Sequence, residues 1–187
     1  GADLDNLAGL FGVLRLAGET DTALRARVQL ALEGFSTAGP IGAYTYHAFA
    51  ASGDVRDVNV SSPIPGEVRI TILEQAGSGV ASPATLLAVE TALNADTVRP
   101  LGDQVTVQTA TIVTYAVTGE LEIRSGMDAA AVLAAATSAV QSYVDAARML
   151  GRVVSLSGLY AALHQTGVIS VTLSAPVADI TPVATAA

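Results

Sequence analysis

A stretch rich in glycine and proline, residues 33–48, constrains the fold of this chain more than any other feature. It reads E-G-F-S-T-A-G-P-I-G-A-Y-T-Y-H-A, and the segments on both sides of its centre have helical spacing of apolar residues. Gly34 favours the end of one helix, and Pro40 suits the first turn of the next because its missing N–H would be unpaired there anyway. Since the stretch holds no reactive grouping of side chains, it predicts a connection between helices rather than an active site.

The pattern of residues 19–111 predicts two helices followed by a β-β-α-β unit. Apolar residues recur at helical spacing before and after the connection, and then alternate with polar residues as they do in strands. Ser82 and Pro83 mark the start of the helix within the β-β-α-β unit. We therefore predict a middle α/β domain at residues 19–111, preceded by a linker or entry segment at residues 1–18.

Residues 112–176 predict a second small domain with the order β-α-α-β. A strand with one polar face begins near Tyr115, Asp128 caps the longest helix, and Gly167 precedes the last strand. Residues 177–187 are predicted to form a loosely ordered tail. The predicted fold class is thus α/β (α+β), with two small lobes that each contain a short mixed sheet with helices packed on one face.

An internal similarity links the two predicted domains. Tyr46 and Gly53 in the first domain correspond to Tyr160 and Gly167 in the second, and both pairs read as a short helix, a glycine and a strand. These four residues are the anchors of a possible duplicated unit. The alternative is that a glycine ending a helix before a strand is a common local solution.

Composition excludes several classes of function. The chain is 51% hydrophobic but has no run of about 18 apolar residues, which predicts no membrane partner. A net charge of −8 disfavours nucleic acid, since binding to phosphates requires clustered cations. The scarcity of charged residues, 14% of the chain, predicts that some apolar surface is covered by another subunit.

The sequence offers weak candidates for chemistry. Its two histidines, His47 and His164, are far apart and lack the short spacing of metal ligands. Glu120 and Glu122 share one face of a strand, but the alternating apolar residues identify that face as solvated. We predict no catalytic residue, no metal and no cofactor, and hence a protein that is not an enzyme.

Several motifs together resemble one known family. They are D-L-D-N-L-A at 3–8, F-S-T-A-G-P-I-G-A-Y at 35–44, P-G-E-V at 65–68, V-R-P-L at 98–101 and S-G-L-Y-A-A-L-H at 157–164. In this order and spacing they resemble the baseplate J-like family, structural proteins of contractile phage tails. Family members generally carry a further N-terminal region that this chain lacks.

The resemblance implies a wedge subunit of the tail baseplate, synthesised and assembled in the host cytoplasm. It also implies three partners: a second copy of the chain, a tail protein I-like subunit and a small lysozyme-like wedge subunit. An alternative function is a ligand- or glycan-binding module of a tail or contractile injection apparatus. The chain is poorly suited to stacking on sugars, since it has three Phe, five Tyr and no Trp.

A mechanical role requires parts that move as rigid bodies, and the glycine- and proline-rich stretch is the predicted hinge. Gly39, Pro40 and Gly42 are the hinge candidates, and Phe35 and Tyr44 complete the structural motif around them.

Overall fold

The computed structural model describes residues 2–36 and 40–187 and divides the chain into two compact units. Unit 1 comprises residues 1–112 and unit 2 comprises residues 113–187. The elements of unit 1 are α1 (Ala2–Leu10), α2 (Asp21–Leu30), a short 3-10 helix (Glu33–Phe35), α3 (Ile41–Ala51), β1 (Val55–Ser61), β2 (Glu67–Glu74), α4 (Pro83–Leu93) and β3 (Gln104–Thr109).

The sheet of unit 1 has the strand order β1-β2-β3. β1 runs antiparallel to β2, and β2 runs parallel to β3, so α4 is the crossover that parallel pairing requires. Ser82 caps α4 by accepting a hydrogen bond from the Thr85 N–H, and Pro83 occupies its first turn, as predicted. The central strand β2 supplies the buried residues Ile70 and Ile72. They pack with side chains from the helices α3 and α4 and from the strands β1 and β3.

A second, smaller apolar cluster stabilises the N-terminal helices of unit 1. Ala8, Val13, Leu24 and Ala31 are buried together there. The sequence predicts a linker or entry segment at residues 1–18, whereas the structure has a nine-residue helix, α1, at Ala2–Leu10. The helix forms because its Ala8 face packs against α2 and is thereby removed from water.

Unit 2 contains β4 (Thr118–Ile123), α5 (Ala129–Ala147), α6 (Leu156–Leu163) and β5 (Val168–Ala175). The α/β class and the small sheets are confirmed, but the sheet of unit 2 is antiparallel rather than mixed. Two successive helices separate its strands, so the chain returns in the opposite direction. The core lies between α5, α6 and the sheet, with Leu159 completely buried.

Residues 177–187 make specific contacts within unit 2. Ile180 pairs with Val154 through two backbone hydrogen bonds of 3.0 Å. Gly151 donates its N–H to the Ala186 carbonyl at 2.8 Å, and the side chain of Ala186 is buried. The sequence predicts a loosely ordered tail because this segment has no periodic pattern, whereas its contacts are tertiary and therefore leave no local signal.

Candidate interaction site

Two of the motifs meet at one end of the sheet of unit 1. β2 and β3 are parallel and begin in register, with Glu67 opposite Gln104. The Gln104 N–H donates to the Gly66 carbonyl at 2.7 Å, which holds the P-G-E-V and V-R-P-L loops side by side. Gly66 has a φ of +83°, and a Cβ at this position would lie 3.4 Å from the Gly102 carbonyl oxygen. We call this end of the sheet, where β2 and β3 begin, the motif end.

Tyr44 brings a third motif to the motif end. Its hydroxyl donates a 2.7 Å hydrogen bond to Asp103 Oδ2, although the two residues are 59 positions apart. Burial of the phenol raises the pKa of Tyr44 well above its ordinary value, and the adjacent Asp103 carboxylate raises it further. Arg99 Nη1 donates to the Asp103 carbonyl at 3.1 Å. The Tyr44 bond attaches the loop before β3 to the first turn of α3, and the Arg99 bond closes that loop on itself.

Three large apolar side chains are exposed in the segments that form the motif end. Ile41, one helical turn before Tyr44, is 67% exposed, Ile64 in the β1–β2 turn is 60% exposed, and Leu101 is 99% exposed. The turn that carries Ile64 is nevertheless held by hydrogen bonds. The Ile64 carbonyl accepts hydrogen bonds from the Glu67 N–H at 2.9 Å and from Ser62 Oγ at 3.2 Å.

The predicted hinge residues lie around the start of α3. Pro40 is its N-cap residue with φ −67° and ψ 153°, and Gly42 lies in its first turn. A Cβ on Gly42 would be 2.8 Å from Glu33 Oε2, so this glycine permits close packing against the 3-10 helix that Phe35 ends. Gly39 lies outside the described residues. Rotation about this elbow stays a prediction.

The residues predicted to mark an internal repeat, Tyr46 and Gly53 in unit 1 and Tyr160 and Gly167 in unit 2, occupy similar positions but differ in conformation. Each glycine follows a helix and precedes a strand, yet Gly167 has a φ of +98° whereas Gly53 does not have a positive φ. The Tyr46 ring packs against the α1–α2 cluster and meets His47 edge to face, with a centroid distance of 5.2 Å. Tyr160 is half-buried in α6. Internal duplication therefore stays a prediction.

Sequence reasoning did not find the ion pairs that fix the N-terminal helices. Arg27 lies on α2, where its guanidinium bonds to both carboxylate oxygens of Glu19 and to the Leu14 carbonyl, both in the segment between α1 and α2. Burial alone would raise the pKa of Glu19, but hydrogen bonds from Arg27 and the Leu16 N–H lower it below its ordinary value. The spacing of Arg27 does contain a signal, since it lies three positions after Leu24 and therefore on the same, buried face of α2. A basic residue on a buried face indicates that an acidic partner lies nearby.

Neither histidine takes part in a group with evident chemistry. Burial lowers the pKa of His47, while a hydrogen bond with the Gly34 backbone opposes this shift. His164 ends α6, where its N–H bonds to the Tyr160 carbonyl. Residues 2–36 and 40–187 contain no group of three or more His, Cys, Asp or Glu side chains able to hold a metal ion.

A shallow trough lies along the exposed face of α5 in unit 2. Short side chains line it, with Leu133 as the largest apolar member and Gln141 as the longest polar one. Such a lining supplies no aromatic platform for a sugar ring. Among the helices of the described ranges, none has the length and apolar character needed to cross a bilayer.

The fold and the motif end agree with a known family. Residues 36–109 match the baseplate J-like central domain, a range that contains Tyr44, Gly66 and Asp103. The chain therefore belongs to the baseplate J-like family, whose place is the tail baseplate of a phage. Baseplate protein J of Escherichia phage P2 is 46% identical to it over 162 residues, which are 87% of this chain and 54% of that protein. The chain thus spans about half the length of this relative.

Proposed function

We propose that this chain is a structural subunit of the baseplate of a contractile phage tail. It acts as a wedge component that associates with a second copy of itself and binds a tail protein I-like subunit and a small lysozyme-like wedge subunit. Its role is mechanical, and no residue has a catalytic task. The observation that carries the proposal is the 46% identity with baseplate protein J of phage P2 over most of the chain.

The geometry of unit 1 supports a role in assembly. The hydrogen bond between Tyr44 and Asp103 joins residues that are far apart in the sequence. It holds a loop in position and does not orient a reactive group. Large apolar side chains are exposed at the start of α3 and on two loops, and exposed apolar patches mark protein–protein interaction sites. In a protein of net charge −8, such residues suit a subunit that another protein covers.

Co-purification tests the proposal directly. The chain is expressed alone, and also together with the tail protein I-like and small wedge subunits, and the mass of each eluted species is measured by light scattering. We expect a complex of fixed stoichiometry after co-expression. Mass spectrometry of purified tails is the second measurement, and absence of the whole protein from tails would refute the assignment to the baseplate.

A further inference from the structure

We propose that the motif end of unit 1 is a docking site for an apolar segment of another protein, and that Lys or Arg residues flank this segment. Ile41, Ile64 and Leu101 are the residues that meet it, with Leu101 as the principal anchor. This inference rests on the proposed function, because it assigns one surface of unit 1 to one of the contacts that a baseplate subunit makes.

The exposure of Leu101 has no role in the stability of unit 1. A side chain that is 99% exposed removes almost no apolar area from water. Its loop, however, is held by the Asp103 N–H bond to the Pro100 carbonyl at 3.1 Å and by the bond from Tyr44 to Asp103. An apolar anchor on a fixed loop lowers the entropic cost of binding, since little ordering remains to be done when the partner arrives.

The excess of negative charge on unit 1 favours a cationic partner. Two arginines lie in the segments that form the motif end: Arg69 pairs with Glu67 at 2.6 Å, which leaves that pair without net charge, and Arg99 bonds to the backbone carbonyl of Asp103. The exposed carboxylate of Glu33 lies beside the first turn of α3. Unit 1 contains twelve acidic and six basic residues. A Lys or Arg beside the apolar segment is therefore attracted, while a second copy of unit 1 would bring the same excess of negative charge.

The size of the surface also favours a segment over a second copy. Three exposed aliphatic side chains offer on the order of a few hundred Å² of apolar area, the scale of one surface patch on a monomer. A stable contact between two folded copies buries about 800 Å² on each partner. The motif end alone is too small for that contact, but it suffices for a short segment that binds through a few anchors.

Photo-crosslinking in assembled tails tests the inference. The whole protein carries p-benzoylphenylalanine in place of Leu101, and the control carries it in place of Leu87, which is 64% exposed on α4. We expect irradiation of purified tails to link position 101, but not position 87, to an apolar segment with Lys or Arg within a few residues. A link to a second copy of this chain, to a segment without flanking cations, or to nothing overturns the inference.

Two charged variants provide an independent test of the anchor. Leu101→Asp should reduce the amount of the whole protein found in purified tails by about tenfold, whereas Leu87→Asp should leave it nearly unchanged. Circular dichroism should show that both variants fold, because both side chains are exposed. Equal incorporation of the two variants overturns the inference and leaves the proposed function intact. Absence of the unchanged protein from tails refutes the proposed function, and the inference with it.

Discussion

Arg27 and Glu19 form an ion pair in which both side chains are almost completely buried, with exposed fractions of 5% and 4%. The Nη2 and Oε2 atoms are 2.8 Å apart, and Arg27 also reaches the Leu14 carbonyl. The pair thus joins α2 to the loop after α1, in a region where the apolar cluster is small.

Removing the Glu19 charge should destabilise unit 1 strongly. Glu19→Gln leaves the Arg27 guanidinium buried without its counterion, at a cost of about 3–5 kcal/mol. Urea unfolding at pH 7 measures the loss. Glu67→Gln is the control: its pair with Arg69 is partly exposed, and its loss should cost at most about 1 kcal/mol.

The same pair should make stability depend on acidity. The pKa of Glu19 is lowered in the folded protein, so its contribution is fully present above the ordinary value of 4.5 and is lost as the pH falls through the lowered pKa. Wild type and Glu19→Gln should therefore converge in stability in acid. A difference that stays constant from pH 7 to the acid range would contradict this account.

Tyr44→Phe should weaken the connection between α3 and the loop before β3. The change removes one hydrogen bond to a carboxylate, which is worth about 1.5–3 kcal/mol. Chemical denaturation measures the change, with Tyr46→Phe as the control in the same unit. Similar losses in the two variants would show that removal of a tyrosine hydroxyl in general, rather than loss of the bond to Asp103, determines the effect.

Gly34→Ala should be destabilising, although the added group is a single methyl. A Cβ at this position would lie 2.3 Å from Tyr46 Cδ1, and that ring is packed against the α1–α2 cluster. We expect a loss of about 1–3 kcal/mol. Gly9→Ala in α1 meets nothing within 4 Å and should instead stabilise by about 0.5–1 kcal/mol. Thermal unfolding of both variants decides whether the contact with Tyr46 or a general effect of alanine is responsible.

Asp179→Ala should destabilise unit 2 by about 1 kcal/mol. Its Oδ1 accepts a 2.8 Å hydrogen bond from the Leu156 N–H at the start of α6, where the helix dipole favours a negative charge. Thr181→Ala, at an exposed neighbouring position, should have little effect. Equal stability of the two variants would mean that the segment after β5 does not support α6.

Local patterns predicted most of the regular elements. The helical spacing of Leu24 and Val28 and the capping residues Ser82 and Asp128 identify α2, α4 and α5, because these signals lie within a few residues of one another. Residues 1–18 lack such capping signals and predict a linker or entry segment, although the helical spacing of Leu4 and Ala8 agrees with α1.

Long-range contacts could not be predicted in the same way. Nothing near Tyr44 indicates that its hydroxyl bonds to Asp103, and nothing near Ile180 indicates that it pairs with Val154. Each contact joins segments that are far apart in the chain, and a single sequence does not specify which distant segments meet. The motifs can be recognised in the sequence because they resemble those of a known family. That three of them lie at one end of the sheet is visible only in the structure.

The separation of β4 from β5 by both helices has a consequence for synthesis on the ribosome. The sheet of unit 1 has all its strands once Thr109 has left the exit tunnel, whereas β4 lacks its partner until Ala175 has emerged. Domains made first generally fold first during translation. The surface that carries Leu101 is therefore in place while the nascent chain is still being extended through unit 2.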